Sequence, residues 1–360
     1  MGVEGGGKLE AVLFAGGGTG GHVYMAVALA QLLEGEGTRI GFAGTAEGLE
    51  SRILPPLGYA LDTIRLGGLK NVGWRRAAQT VFQLPSSLTQ SLRIVRRFRP
   101  SVIVGVGGYA SGPVIVAGRL LRIPSLLLEP NVHPGFTNRL LRPMVEAAAV
   151  AFEETAQWFG TKARVTGIPV RRSFFELPPH DFGMVPMRVL VFGGSRGSRP
   201  LNRLMCEALP HLPAQRVRIV HQTGPSELAA VREAYRGRDD CTVVDYIEQM
   251  AEQFREADLI VSRAGASTVA EIAAAGRPAL LVPFPQAADD HQRKNALAME
   301  RRGAALLVDQ ETTSGAALAA RILALEADRT QLERMAAAAR RHARPDAALG
   351  IVQLMKEVAG

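Results

Sequence analysis

The 360-residue sequence predicts an α/β protein made of two doubly wound, Rossmann-like domains facing a cleft. Three observations carry this prediction. Short apolar runs alternate with amphipathic stretches along the chain, as buried parallel strands alternate with covering helices. The alternation falls into two sets, separated by the Pro-rich, aperiodic residues 167–186. Each set opens alike, with an apolar strand, a Gly-rich loop and a helical pattern.

In the first set, Ala11–Ala15, Ile40–Ala43, Val102–Gly105, Ser125–Leu128 and Ala147–Phe152 read as buried strands. The first is followed by Gly16-Gly17-Gly18-Thr19-Gly20-Gly21-His22. Leu88, Leu92 and Val95, at i, i+4 and i+7, mark the core face of a helix. Pro100–Gly118 carries no charge and approaches the roughly 20 apolar residues of a membrane span. Glycines and Pro113 interrupt it, so it reads as strand, loop and helix. The second set runs Arg188–Phe192, Arg218–His221, Thr242–Val244, Leu259–Ser262, Ala279–Val282 and Ala304–Val308, with Gly193-Gly194-Ser195-Arg196-Gly197-Ser198 after its first strand. A last helix, Ala347–Val358, packs either on the second domain or back on the first. The expected division is 1–166, a linker at 167–186, 187–346, and a C-terminal helix in 347–360.

Composition narrows the class. Hydrophobic residues make up 47% and charged residues 21%, ordinary values for globular domains. The net charge of +8 favours anionic partners, and the excess is regional: no acidic residue occurs between Asp62 and Glu129, a stretch with Arg65, Lys70, Arg75, Arg76, Arg93, Arg96, Arg97, Arg99, Arg119 and Arg122. Cys206 and Cys241 show neither metal spacing nor a disulfide framework, which points to a reducing compartment. Residues 1–10 lack the apolar core of a signal peptide. No cluster of His, Cys and carboxylates has ligand spacing, so neither a metal nor another cofactor is expected.

The chemistry-bearing residues lie just beyond the strands, where doubly wound sheets bind ligands. Gly-rich strand-to-helix loops let backbone approach a phosphate, and a helix N-terminus adds N–H donors. The first loop satisfies GxGxxG through Gly16, Gly18 and Gly21, but the next strand ends Ala43-Gly44-Thr45-Ala46 without the acidic residue a nicotinamide ribose needs. His22, at a helix start, is disfavoured as imidazolium and suited to take a proton from a hydroxyl; a histidine that merely closes the turn is the alternative. Glu129 and Asn131 follow a buried strand, Arg171 lies in the 167–186 segment, and Ser195 sits in the second Gly-rich loop. Glu271 is one turn into a helix after Ser267 and Thr268, a spacing that also suits a capping box. Asp289-Asp290-His291-Gln292 opens another helix.

Taken in order, GGGTGGHV (16–23), GGYASGP (107–113), EPN with FTNRLL (129–141), TGIPVR (166–171), GGSRG (193–197), HQTG (221–224), RAGASTVAEIAAAGRPALLVPFP (263–285) and DDHQRKNA (289–296) resemble the MurG family of peptidoglycan glycosyltransferases over nearly the whole chain. The resemblance implies the GT-B architecture. It also implies inverting transfer of N-acetylglucosamine from its UDP donor to lipid I, forming lipid II, at the cytoplasmic face of a bacterial membrane. It places donor contacts at Thr19, Gly20, Gly21, Asn131, Arg171, Ser195, Ile247, Ala266, Ser267, Thr268, Val269, Ala270, Glu271 and Gln292, with Ile247 offering backbone to the uracil, Glu271 bonding the ribose and Gln292 reading the sugar. His22 becomes the leading general base and Glu129 the second.

The lipid acceptor implies a peripheral protein on an anionic inner leaflet, with Trp74, Arg75 and Arg76 as membrane contacts, other cell-wall synthesis proteins as partners, and no nucleic acid. Met25, Pro130 and Ile168 stand where the family commonly has proline, glutamine and asparagine. Two other readings stay open at this point: another sugar-nucleotide enzyme of the same fold, such as a glycolipid synthase or a UDP-sugar 2-epimerase, and a non-catalytic membrane-docking subunit that binds a nucleotide sugar.

Overall fold

The computed structural model describes residues 9–17, 20–66, 74–194 and 196–360, with side chains left undescribed at 74–82 and 288. The chain forms two compact units, Met1–Pro169 with Asp346–Gly360, and Val170–Pro345.

The first unit holds a seven-stranded sheet: β1 (Ala11–Gly16), β2 (Arg39–Gly44), β3 (Leu61–Thr63), β4 (Val102–Gly107), β5 (Ser125–Glu129), β6 (Ala147–Val150) and β7 (Ala163–Val165), in the order β3-β2-β1-β4-β5-β6-β7. Every pairing is parallel. The central strands are apolar on both faces because helices cover both. Val12, Phe14, Val102 and Val104 pack one way, and Leu13, Ala15, Ile103 and Leu127 the other. Pro100–Gly118 is strand, loop and helix, the helix being Ser111–Leu120. Among the described residues no helix is long and apolar enough to cross a membrane. Val95 is fully buried, with Leu88 and Leu92 half-buried beside the same core, within the helix Trp74–Phe98.

The second unit holds β8 (Met187–Phe192), β9 (Val217–Gln222), β10 (Thr242–Val244), β11 (Leu259–Ser262), β12 (Ala279–Leu281) and β13 (Ala305–Leu307), in the order β10-β9-β8-β11-β12-β13, again all parallel. In both sheets the order reverses beside the first strand, between β1 and β4 and between β8 and β11. Such switch points open the crevices where doubly wound sheets take ligands.

Two features bear on the expected division. Residues 170–186 are packed onto the second unit rather than strung between the two. Phe174, in the short helix Arg172–Phe175, is fully buried edge-on against Phe254, and Phe182 joins the second unit's core. The helix Ala347–Ala359 buries Ile351, Val352, Leu354 and Met355 in the first unit's core, and Lys356 pairs with Glu36 at 2.8 Å. The three-residue strands β3 and β7 were not foreseen; both sit at sheet edges and are at most half-buried, so they lack the apolar run that marks the others.

Candidate functional site

The carboxyl edge of the first unit's sheet is built around glycine backbone. Gly17 N–H donates to the Gly107 carbonyl at 3.1 Å, closing the β1–β4 switch point. Gly108 adopts φ +80°, and a Cβ there would lie 2.6 Å from the Gly17 carbonyl oxygen. His22 lies in the first turn of the helix Gly20–Gly35, its Nδ1 3.3 Å from the Gly17 carbonyl oxygen. With Nδ1–H donating there, Nε2 carries the lone pair. Gly107 makes room for the ring: a Cβ at 107 would stand 3.2 Å from Cε1 and 3.3 Å from Nε2. Gly20 and Gly21 begin the same helix, and Thr19 lies outside the described residues.

Glu129, the last residue of β5, is fully buried. Its Oε1 accepts from Asn131 N at 3.0 Å and Asn131 Nδ2 at 3.1 Å; its Oε2 accepts from Gly135 N and Asn138 Nδ2, both at 2.9 Å. Burial pushes the carboxyl above the usual range, against the four hydrogen bonds that pull it down. All four partners are N–H donors, so the carboxylate organises the 130–138 loop, and to act as a base it would have to release one of them. Asn131 is correspondingly turned toward Glu129. A second buried carboxylate, Glu50, was not singled out from the sequence. Its Oε1 accepts from Thr45 N and Oγ1, both at 2.8 Å, and it fills space left by Gly17, Gly44 and Gly48.

In the second unit, Arg171 and Glu271, a hundred residues apart, meet at 3.4 Å, with the guanidinium 4.9 Å over the Phe174 ring. Burial pushes the Glu271 carboxyl up to about 7, a rise that Arg171 partly offsets. The capping-box alternative fails. The N-cap of the helix Ala266–Ala275 is Gly265, and no side chain caps it. Val269 N–H closes the first turn on the Gly265 carbonyl at 3.0 Å and its side chain is buried, so the structure does not present Val269. The N–H groups of Ala266, Ser267 and Thr268 are the ones without an intrahelical acceptor.

Ile247 N–H donates to Gln222 Oε1 at 2.9 Å, which leaves its carbonyl as the backbone group to offer. Gln222 Nε2 in turn donates to the Gly194 carbonyl at 3.0 Å. This buried side chain ties the second Gly-rich loop to the segment after β10, a link that no spacing in the sequence announces. Gln292 Oε1 accepts from Phe284 N at 3.0 Å, which turns its amide nitrogen elsewhere. Asp289 and Asp290 both take left-handed backbone just before Gln292.

Ser195 lies outside the described residues. Trp74, Arg75 and Arg76 open the helix Trp74–Phe98, where their side chains are not described. His221 is buried between Tyr235 and Asn202 and pushed down to about 4, so it is a neutral tie within the core. Among the described residues, no three His, Cys, Asp or Glu side chains gather as they would around a metal ion.

Comparisons with known proteins show the family. Residues 12–150 match the glycosyltransferase family 28 N-terminal domain and residues 188–350 the family 28 C-terminal domain. A "UDP-N-acetylglucosamine--N-acetylmuramyl-(pentapeptide) pyrophosphoryl-undecaprenol N-acetylglucosamine transferase" from Syntrophotalea carbinolica is 45% identical over 97% of this chain and 99% of its own. The like-named protein from Solibacter usitatus is 42% identical over 96% of both chains. The crystal structure of Acinetobacter baumannii MurG superposes with a TM-score of 0.81 at 32% identity, over 97% of this chain and 99% of that one.

Proposed function

Because the chain belongs to the MurG branch of glycosyltransferase family 28, we propose that it transfers N-acetylglucosamine from UDP-N-acetylglucosamine to lipid I, with inversion at the anomeric carbon, to give lipid II. The observation that carries this reading is the contrast between the two carboxyl edges: one presents an imidazole beside glycine backbone, the other helix N–H groups beside an Arg–Glu pair.

The two units divide the reaction. His22 Nε2 takes the proton of the acceptor hydroxyl as that oxygen attacks the anomeric carbon. The bond from that carbon to the β-phosphate oxygen breaks, and UDP leaves with the electron pair. Charge grows on the diphosphate, so donors fixed in advance favour the transition state. Ser195, the N–H groups of Ala266 to Thr268 and Arg171 fill that role. Glu271 accepts from the ribose hydroxyls, the Ile247 carbonyl meets the uracil, and Gln292 contacts the sugar. Glu129 shapes the acceptor loop and positions Asn131 rather than taking the proton. These roles need no metal ion.

The lipid acceptor calls for a membrane. Exposed Leu84, Leu120, Phe136 and Leu140 lie on helices Trp74–Phe98, Ser111–Leu120 and Phe136–Leu141, which pack in succession, and Arg93, Arg119, Arg122 and Arg142 stand exposed on or beside them. Such a surface suits an anionic inner leaflet, at about 1 kcal/mol per basic side chain near it; Trp74, Arg75 and Arg76 are further membrane contacts in this reading, on the sequence alone.

The test is transfer of labelled N-acetylglucosamine from its UDP donor to a short-chain lipid I analogue, with and without EDTA. Labelled lipid II formed equally in both is the expected result. UDP binding without transfer would favour a docking subunit, and loss of transfer in EDTA would overturn the metal-free roles.

A further inference from the structure

The Nδ1 proton of His22 rests on a peptide carbonyl, that of Gly17, at 3.3 Å. Whatever fixes that carbonyl therefore helps to fix which ring nitrogen keeps the lone pair. Backbone holds part of it: Gly17 N–H donates to the Gly107 carbonyl, and Gly108 crowds the Gly17 oxygen. Where a side chain would project from Gly17, the peptide meets a residue from another loop. A Cβ there would run into the carboxylate of Glu50, whose Oε2, Cδ and Oε1 are the atoms nearest that position.

Glu50 opens the short helix Glu50–Ile53 and is 1% exposed. Its Oε1 accepts from N and Oγ1 of Thr45, both at 2.8 Å, which ties it back to the end of β2. Gly44 and Gly48 leave the rest of the room it occupies. In a nucleotide-binding sheet this strand end carries the acid that grips a ribose. Here the carboxylate reaches the same strand end from the following helix, but it is buried and bonded to the protein, so it is not offered to a ligand. An apolar side chain would fill the chamber without the cost of burying an ion. A carboxylate with two donors on one oxygen is held in a fixed orientation, and its other oxygen presents a fixed wall to Gly17.

We propose that Glu50 is a positioning residue for His22. Thr45 orients Glu50, the Glu50 carboxylate braces Gly17, and the Gly17 carbonyl holds the Nδ1 proton, so that Nε2 is left as the base. The kinetic consequence rests on the reading of His22 as the base; the tautomer does not.

The test uses the full chain carrying Glu50→Ala. Nitrogen-15 NMR of the imidazole-labelled protein reports which ring nitrogen bears the proton. Wild type should show His22 protonated at Nδ1, and Glu50→Ala a mixture of the two neutral tautomers; an unchanged His22 signal overturns the proposal. In steady-state kinetics we expect kcat to fall about 10- to 100-fold, with the KM for UDP-N-acetylglucosamine within about twofold of wild type. In a His22→Ala background the same substitution should cost nothing further, whereas an equal loss in both backgrounds would make Glu50 a structural brace and overturn the proposal. If Glu50→Ala fails to fold, Thr45→Val serves, since it removes one of the two donors to Oε1. A fall in kcat of about threefold that appears with His22 and vanishes without it supports the proposal, and the same fall in both backgrounds overturns it. If His22→Ala alone keeps normal turnover, the base reading fails by itself, and the NMR comparison still decides whether Glu50 sets the tautomer.

Discussion

The two units share a fold and differ in the charge they bury at the same edge. Among the described residues, the fully buried charged groups at the carboxyl edge of the first sheet are the carboxylates Glu50 and Glu129; at that edge of the second sheet it is the guanidinium of Arg263. The switch points differ likewise. Between β1 and β4 it is closed by glycine backbone, Gly17 to Gly107, and between β8 and β11 by a cation held on a serine. One doubly wound scaffold can therefore be set for opposite tasks by what is buried under its loops. Positive charge beneath open helix starts favours receiving a leaving anion.

The sharpest way to break this comparison is to remove the imidazole. His22→Ala should lower turnover by about 10²- to 10⁴-fold while UDP affinity, measured by calorimetry, stays near wild type; loss of both together would mean the units do not divide the work. The second test is titration of Glu271. The ribose-bonding form is the carboxylate, and with its carboxyl near 7 that form is present above pH 7 and lost as pH falls through it. UDP affinity should then drop about tenfold per pH unit below 7, and Glu271→Gln should flatten that dependence. Thermal stability runs the other way: an acid raised by folding makes the folded state less stable as pH rises from about 4.5 to 7. The smallest effect is expected of Gln222→Met, which cuts the link between Gly194 and Ile247. The KM for UDP-N-acetylglucosamine should rise by about the worth of one or two buried hydrogen bonds, roughly tenfold. Discrimination between UDP and CDP should narrow with kcat little changed; an unchanged KM would mean the link carries no binding function.

The comparison also separates what the sequence could disclose from what it could not. The central strands were legible because parallel strands buried on both faces must be continuous apolar runs, as in Val102–Gly105 and Leu259–Ser262. The edge strands Leu61–Thr63 and Ala163–Val165 were not, since one neighbour and half burial impose no such run. His22 and Glu271 stood out because polar residues interrupt loops and helix starts at the ligand-binding edge. Residues whose partners are remote stayed hidden. Gln222 gains its meaning from Gly194 and Ile247, on other strand ends, and Arg263 gains its own from residues 198, 282, 283 and 310. Glu129 was visible as a residue but not as a saturated one, because its four donors come from backbone and side chains that only the folded 130–138 loop assembles.

The return of the Ala347–Ala359 helix to the first unit sets an order of events during synthesis. Residues 9–169 can emerge from the ribosome and pair their strands, but the wall made by Ile351, Val352, Leu354 and Met355 is still untranslated. The second unit, continuous from 170 to 345, has its whole core before that helix appears. The half that begins first is thus completed last, and its nascent form carries an open apolar groove over the helix Gly20–Gly35 for as long as the other half takes to be made.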